Sequence, residues 1–518
     1  MQLEGVLKNS AQKHPEKIAL ICGDQRVTYR EIEEQSNRLA SALVALGIER
    51  GDRVATCLDN SLEGVFSIFA ILKAGAAFVI VDRNPTPDRL FGILNHSEAK
   101  MLLVHSRMVQ AIEGKRRLLS SLRSVVMVGE DPLGDEAAGQ EFLRFEDLLR
   151  QGACGPLPSG RAIDVDLASV IYTSGSTGAA KGVMMTHQSM LSALRSITSF
   201  LKNGPDEIIL NVLPLSFDYG LYQVLLAFES GGTLVLERSF AYPHVVLKKA
   251  EAEKVTAFPL VPTLLALLLQ IGLERYDLSS LRYVTSTGGP LPTRHILEFR
   301  RRFPSVDFFS MYGLTECKRV SYLAPGEIDR RPTSVGKGME NEEVYIVDEQ
   351  GRRVGPGVEG ELVVRGSHVM RGYWRMPEET GKVLRTEPDT WDRVLYSGDL
   401  FRMDHEGYLY FVGRKDEMIK CRDRKVSPKE IENALYDLEG IQEAVVVGVP
   451  DEIVGQAIKA VVMAKPGAVL TETMILGHLS QRLEKYMIPK IIEIRNQIPK
   501  TSTGKFDKLA LSVSRVEA

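Results

Sequence analysis

The stretch from Tyr172 to His187, YTSGSTGAAKGVMMTH, sets glycines, hydroxyl side chains and one lysine between two apolar runs. That mixture suits an anion. Glycines let backbone N–H groups approach a phosphate, Ser174, Ser176 and Thr177 add hydroxyl donors, and Lys181 adds charge. The Walker pattern does not fit, because Ala180 precedes Lys181 and Gly182 follows it. The dinucleotide fingerprint fails as well, since Gly175 and Gly178 have no third glycine in step. A phosphate loop of another kind is expected in place of a plain surface turn, which has no use for so many donors beside a cation.

Four further stretches carry residue types with chemical use. In MYGLTEC, Glu316 follows Thr315, a carboxylate beside a hydroxyl, which suits Mg²⁺ next to a phosphate. Tyr312 in the same stretch offers a flat ring to a base. In YSGDLF, Asp399 after Gly398 is placed to accept from a ribose diol or to organise a turn. TSTGGPLP exposes backbone at Gly288 and Gly289, against which a ring can lie. Near the C-terminus, IPKTSTGKFDK holds Lys505 after Gly504, and Pro499 stands where a Walker loop needs glycine.

The elements that must position these residues follow from pattern. AIDVDLASVIY reads as a buried strand before the first loop, and HQSMLSALRSITSFL has helical spacing after it. TYREIEEQSNRLASALVALGI is helical, RVATCLD and FVIVD are strand-like, and residues 117–161 read as loops and short elements. Alternating helix and strand up to about Leu236 predicts an α/β protein with mainly parallel sheets flanked by helices. After Gly338 the shorter strands predict a β-rich subdomain, and from Lys415 on the pattern is that of a small α+β domain. The division is 1–412 for a large domain, 413–416 for a hinge and 417–518 for a small mobile domain. Asp218 precedes a helix with Leu221, Leu225 and Phe228 on one face, so it reads as the N-cap.

Composition agrees with a soluble enzyme of more than one domain: 518 residues, 44% hydrophobic, 25% charged, net charge -3. Nothing in that balance suggests nucleic acid as a partner. The five cysteines lack C-x-x-C spacing, which predicts free thiols in a reducing compartment and no zinc site. The N-terminus has no signal-peptide core, and GVFSIFAILKAGAAFVIVD is broken by Lys73 and Gly75, so no membrane span and a cytoplasmic location are expected.

In this order, LKAGAAF, YTSGSTGAAKG, LPLSFDYG, YGLTE, GELVVRG, YSGDL, GRKDEMIK and PKTSTGK resemble the adenylate-forming superfamily: acyl- and aryl-CoA synthetases, peptide-synthetase adenylation domains and luciferases. The resemblance implies activation of a carboxylic acid by ATP and Mg²⁺ with release of pyrophosphate. It implies acyl transfer next, to a thiol of CoA or a carrier protein, or to an amine. By resemblance, Thr173, Ser174, Gly175, Ser176, Thr177, Gly178 and Lys181 cradle phosphates, Thr315 contacts the α-phosphate and Glu316 binds the metal. Tyr312 with Gly288, Gly289 and Pro290 would hold adenine, and Asp399 with Arg414 the ribose. Lys505 would bridge the two reacting groups, Asp416 would be the hinge, and Lys420 would act after the small domain rotates.

Phe217, Asp218 and Tyr219 fall where the family lines its acid pocket, and an aspartate at 218 is what amino-acid-activating relatives use to pair an α-amino group. YGLTE resembles the acyl-CoA ligase form. No carrier-protein domain follows Lys505, so a stand-alone enzyme is expected. Asp423 replaces a glycine that the family places beside its pantetheine tunnel. That departure brings in the amide ligases, of the coronafacate ligase type, as an alternative, and Asp218 brings in stand-alone amino-acid adenylating enzymes.

Overall fold

Two large sheets carry most of the chain in this computed structural model, which describes residues 2–129, 142–157, 161–174, 180–289, 291–387, 390–421, 424–451, 455–500 and 506–513. One is eight-stranded. Its central strands Ala77–Ile80, Arg53–Cys57, Met101–His105 and Ser124–Val128 are parallel and buried on both faces, which is why they read as short continuous apolar runs. The other is nine-stranded, with parallel strands Asp307–Tyr312, Tyr283–Ser286, Ala257–Leu260, Ile208–Asn211 and Thr233–Leu236 in its middle. The helix Asp218–Ser230 is buried nearly throughout and joins the helix Leu62–Lys73 in the main core, where Phe69 stacks on Phe228 at 5.5 Å.

The helix Tyr29–Ala45 begins at a capping box, Thr28 and Glu31 satisfying each other's backbone N–H groups. Residues 117–161 hold more regular structure than their charge and glycine content implied. Ser124–Val128 is a fully buried strand, and the helix Phe145–Gln151 follows the short strand Phe142–Arg144. Five residues, four of them apolar, are too few to show periodicity, and their place in the parallel sheet is a tertiary fact.

A third sheet, of strands Glu342–Val347, Gly360–Gly366, Arg393–Met403, Leu384–Thr386 and Leu409–Arg414, is antiparallel. The fourth is built from Ile419–Cys421, Arg424–Val426, Ile441–Asp451, Gly455–Ala464 and Ile491–Ile494, and has its own core around Ile431, Leu435 and Ile458. It meets the helix Thr293–Arg302, where Arg294 donates to the Ile441 carbonyl at 2.9 Å and His295 packs against Tyr436. All five cysteines are free thiols. Among the described residues, no helix is long and apolar enough to cross a membrane.

Candidate active site

A cavity of about 240 Å³ collects residues from widely separated parts of the chain, four of which carry the polar chemistry. The first part is a hairpin. The strand Leu167–Ser174 runs antiparallel to Ala180–Thr186, with Thr173 opposite Lys181, and both of these line the cavity. The strand Ala180–Thr186 intervenes before the helix His187–Leu201, so the loop does not feed a helix N-terminus. A Cβ at Gly182 would meet Val170 Cγ1 at 2.8 Å, which explains a glycine where the two strands pack closely. Lys181 Nζ is held 2.7 Å from Glu379 Oε2. Gly175, Ser176, Thr177 and Gly178 lie outside the described residues, as do Pro290 and Lys505.

The second part is the return loop between the strands Asp307–Tyr312 and Ser321–Leu323, which run antiparallel. A Cβ at Gly313 would stand 2.3 Å from the Lys318 carbonyl oxygen and 2.9 Å from Arg319 Cα, so only glycine lets the loop fold back this tightly. Lys318 takes a left-handed φ of 68°, and Val320 donates to the Tyr312 carbonyl at 2.9 Å, closing the loop. Thr315, Glu316, Lys318 and Arg319 all line the cavity as a result. Tyr373 donates its hydroxyl to Glu316 Oε1 at 2.8 Å.

The antiparallel register of the third sheet sets Asp399 directly opposite Arg414. Arg414 lines the cavity, and its Nε stands 3.1 Å from Asp399 Oδ1, a charge contact without hydrogen-bond alignment. Tyr312 donates its hydroxyl to Asp399 Oδ2, and Ser397 Oγ accepts from the Asp399 N–H at 3.1 Å. Burial raises the Asp399 carboxyl to about 6, against the opposing pull of Arg414 and the Tyr312 hydrogen bond. Tyr312 itself does not line the cavity; its ring packs edge-on to Phe401. Asp416 sits exposed in the turn beyond, 3.3 Å from Arg414 Nε, and Lys420 is exposed outside the cavity.

The fourth part is Phe217, Asp218 and Tyr219, with Gly288 facing them. Gly288 has φ 91°, and a Cβ there would meet the Phe217 ring at 3.2 Å; Gly289 is not among the lining residues. The expected N-cap at 218 is corrected. Phe217 is the cap residue, and Asp218 is the first helical residue with no side-chain cap hydrogen bond. The residue is 9% exposed at the cavity, in the field of Lys318 and Arg319. Burial lowers the Lys318 ammonium and Asp218 leads the charges opposing that; for Arg319 burial is opposed by Tyr219 and then Asp218. Arg319 lies over the Tyr219 ring at 5.0 Å, and Tyr219 donates its hydroxyl to the Thr285 carbonyl.

The family model described as AMP-binding enzyme matches residues 7–374, and its C-terminal domain model matches 430–505. The chain belongs to the AMP-binding enzymes. It is 31% identical to a long-chain-fatty-acid–CoA ligase of Bacillus subtilis (strain 168), over 97% of this chain and 92% of that one. The structure of the anthranilate CoA ligase AuaEII in complex with anthranoyl-AMP superimposes with a TM-score of 0.89 at 28% identity, covering 99% of this chain and 96% of that one. The amide bond synthetase McbA from Marinactinospora thermotolerans gives 0.85 at 26% identity, covering 99% of each chain. This AMP-binding enzyme has the mixed α/β adenylate-forming fold and is an ATP-using, AMP-forming carboxylate ligase of the acyl-CoA ligase type.

Sequence reasoning did not single out Lys318, Arg319, Tyr373 or Glu379. For Tyr373 and Glu379 no local signal exists, because their partners Glu316 and Lys181 lie far away in the chain. For the other two a signal was present: adjacent cations between Cys317 and Val320, in a run entering a buried strand, are out of place unless a site needs them.

Proposed function

We propose that this AMP-binding enzyme activates a carboxylic acid as its acyl-adenylate and passes the acyl group to a thiol, of CoA or of a carrier protein. In the first step a carboxylate oxygen attacks the α-phosphorus of ATP, and the bond to the pyrophosphate leaving group breaks. In the second, the thiol sulfur attacks the acyl carbon, the bond to AMP breaks, and the thiol proton leaves to solvent. The observation that carries this reading is the cavity itself. It joins Lys181, Thr315, Glu316 and Arg414, which suit a nucleotide, to Phe217, Asp218 and Tyr219, where the family holds its acid.

Thr173 and Lys181 would meet the phosphates, Thr315 the α-phosphate, and Asp399 with Arg414 the ribose. Gly288 gives the adenine a bare backbone surface. Glu316 and Thr315 offer only oxygen donors, which fit Mg²⁺. Held there, the ion would neutralise charge on the substrate phosphates. Lys505 would stabilise charge on the reacting oxygens. The chain would divide at 413–416 and turn about Asp416, which the separate fourth sheet and its own core support, and Lys420 would serve the second step. Five free cysteines fit work in the cytoplasm.

The thiol acceptor is favoured by the CoA ligases among the relatives. Asp423, in the place of the family's glycine, favours a second reading in which an amine accepts and an amide forms; McbA is named as such an enzyme. Acid-dependent pyrophosphate release over a broad acid panel, followed by CoA and amino acids offered separately, tests the choice. Acyl-CoA as the main product supports the thiol, and faster amide formation overturns it. Asp423→Gly sharpens the result: under the amine reading it gains acyl-CoA formation at an unchanged rate of pyrophosphate release.

A further inference from the structure

Lys318 and Arg319 are both 4% exposed, and both line the cavity. Among the described residues, Lys318 Nζ and Arg319 Nε have no hydrogen-bond partner. Such groups are costly to bury, and folded proteins normally pair them. Among the described residues, the carboxylate whose charge acts on both is Asp218; Glu316 acts on Lys318 from the metal side. Two cations therefore share one local carboxylate, which leaves the acid side of the cavity with one positive charge in excess.

We infer that Lys318 and Arg319 form a subsite for a second anionic group on the acid, so that the substrate is a dicarboxylic acid or a carboxylic acid bearing another anion at its far end. A second carboxylate would balance the excess charge, give Lys318 an acceptor, and meet the planar donor fork of Arg319. The cation–π contact with Tyr219, 5.0 Å from Cζ to the ring centroid, helps hold the guanidinium in place before the substrate arrives. The same arrangement disfavours two other classes. A long alkyl chain would lie against unpaired buried charge, and a substrate ammonium directed at Asp218 would meet two cations already facing that carboxylate.

This inference rests on the proposed adenylation site but not on the acceptor, so it is tested by pyrophosphate release without any acceptor. Succinate, glutarate, adipate and phthalate are compared with butyrate, pentanoate, hexanoate and benzoate, and with the monomethyl esters of the diacids, which match their size but carry one charge. At least one diacid should exceed its half ester and its monoacid by roughly 10- to 100-fold in kcat/KM, the range of a hydrogen bond to a charged group. Lys318→Met and Arg319→Met should each lose most of that preference while the KM for ATP stays level. Because removing a buried charge risks misfolding, the wild-type comparison is decisive by itself, with thermal stabilisation by the diacid over its half ester as a second readout. Equal or better use of monoacids or half esters by the wild type overturns the subsite and leaves adenylation standing. Absence of both the rate preference and the stabilisation overturns it too. Pyrophosphate release from no acid, in the presence of that stabilisation, would instead count against the adenylation reading.

Discussion

On the nucleotide side of the cavity each charged group has a protein partner: Lys181 is held by Glu379 at 2.7 Å, Arg414 by Asp399 at 3.1 Å, and Glu316 by the Tyr373 hydroxyl at 2.8 Å. On the acid side Lys318 Nζ and Arg319 Nε have none among the described residues. The two sides share a single loop, residues 313–320, yet handle charge in opposite ways. Partnered groups are held in position for a ligand that the whole family uses, at little cost when the site is empty. Unpartnered buried charge is unstable until a substrate balances it, so it discriminates among substrates. On the proposed assignment, the common half of the reaction and the specific half would be distinguished by whether the protein completes its own ion pairs.

Mutations can break this division. The largest effect is expected from Lys505→Ala, which should slow adenylation by about 2.7–4 kcal/mol, the cost of losing one preorganised donor, with ATP binding nearly unchanged. Single-turnover formation of acyl-adenylate, measured beside ATP binding, checks it, and a wild-type rate would refute the role.

Asp399→Asn comes next and belongs to the nucleotide side alone. It should raise the KM for ATP by about 1.5–3 kcal/mol, the worth of hydrogen bonds to a charged acceptor, and leave the ranking of acids untouched. Its pH dependence has a definite sign. The Asp399 carboxyl is raised in the folded protein from 3.8 to about 6, so the folded chain binds the extra proton between those values. Stability of the free enzyme from this group is therefore fullest below the unfolded pKa and declines as pH rises through about 6. If Asp399 holds the ribose as proposed, the ribose needs the ionised acceptor, so ATP should bind more tightly as pH rises over the same window. KM for ATP measured from about pH 5 to 8 should fall in the wild type and lie flat in the variant.

Gly313→Ala tests the shared loop. The new Cβ must displace the backbone of Lys318 and Arg319, so stability should fall by about 1–3 kcal/mol, as overpacking does, and both ATP use and acid choice should suffer together. Denaturant unfolding with paired KM values would read this, and damage confined to one side would show that the loop does not couple them.

Asp218→Asn should have the smallest effect, and only on the acid side. Removing the one local carboxylate raises the excess positive charge, so the kcat/KM for a diacid should increase by about tenfold or less, while the KM for ATP stays level. A selective loss for amino acids would instead restore the reading in which Asp218 pairs a substrate ammonium.

The residues proposed for the nucleotide side could be picked out as candidates from the sequence because they come in short contiguous motifs. Glycine spacing, hydroxyls beside a lysine and a carboxylate after a threonine are chemistry that neighbouring residues carry together. The α/β class was legible too, since alternating helix and strand patterns survive whatever the tertiary arrangement. Its parallel core was only partly so: Ser124–Val128 is too short for periodicity to reveal. What the tertiary structure decided is pairing across the chain. Glu379 reaches Lys181 from 198 residues away, and Asp218 faces Lys318 and Arg319 through the packing of a helix from one region against a return loop from another. Read locally, Asp218 was a helix cap, because a carboxylate before an apolar helical run has that use by default. Its actual surroundings depend on through-space electrostatics in a buried cavity, and no local pattern of residues encodes which distant charges will share it.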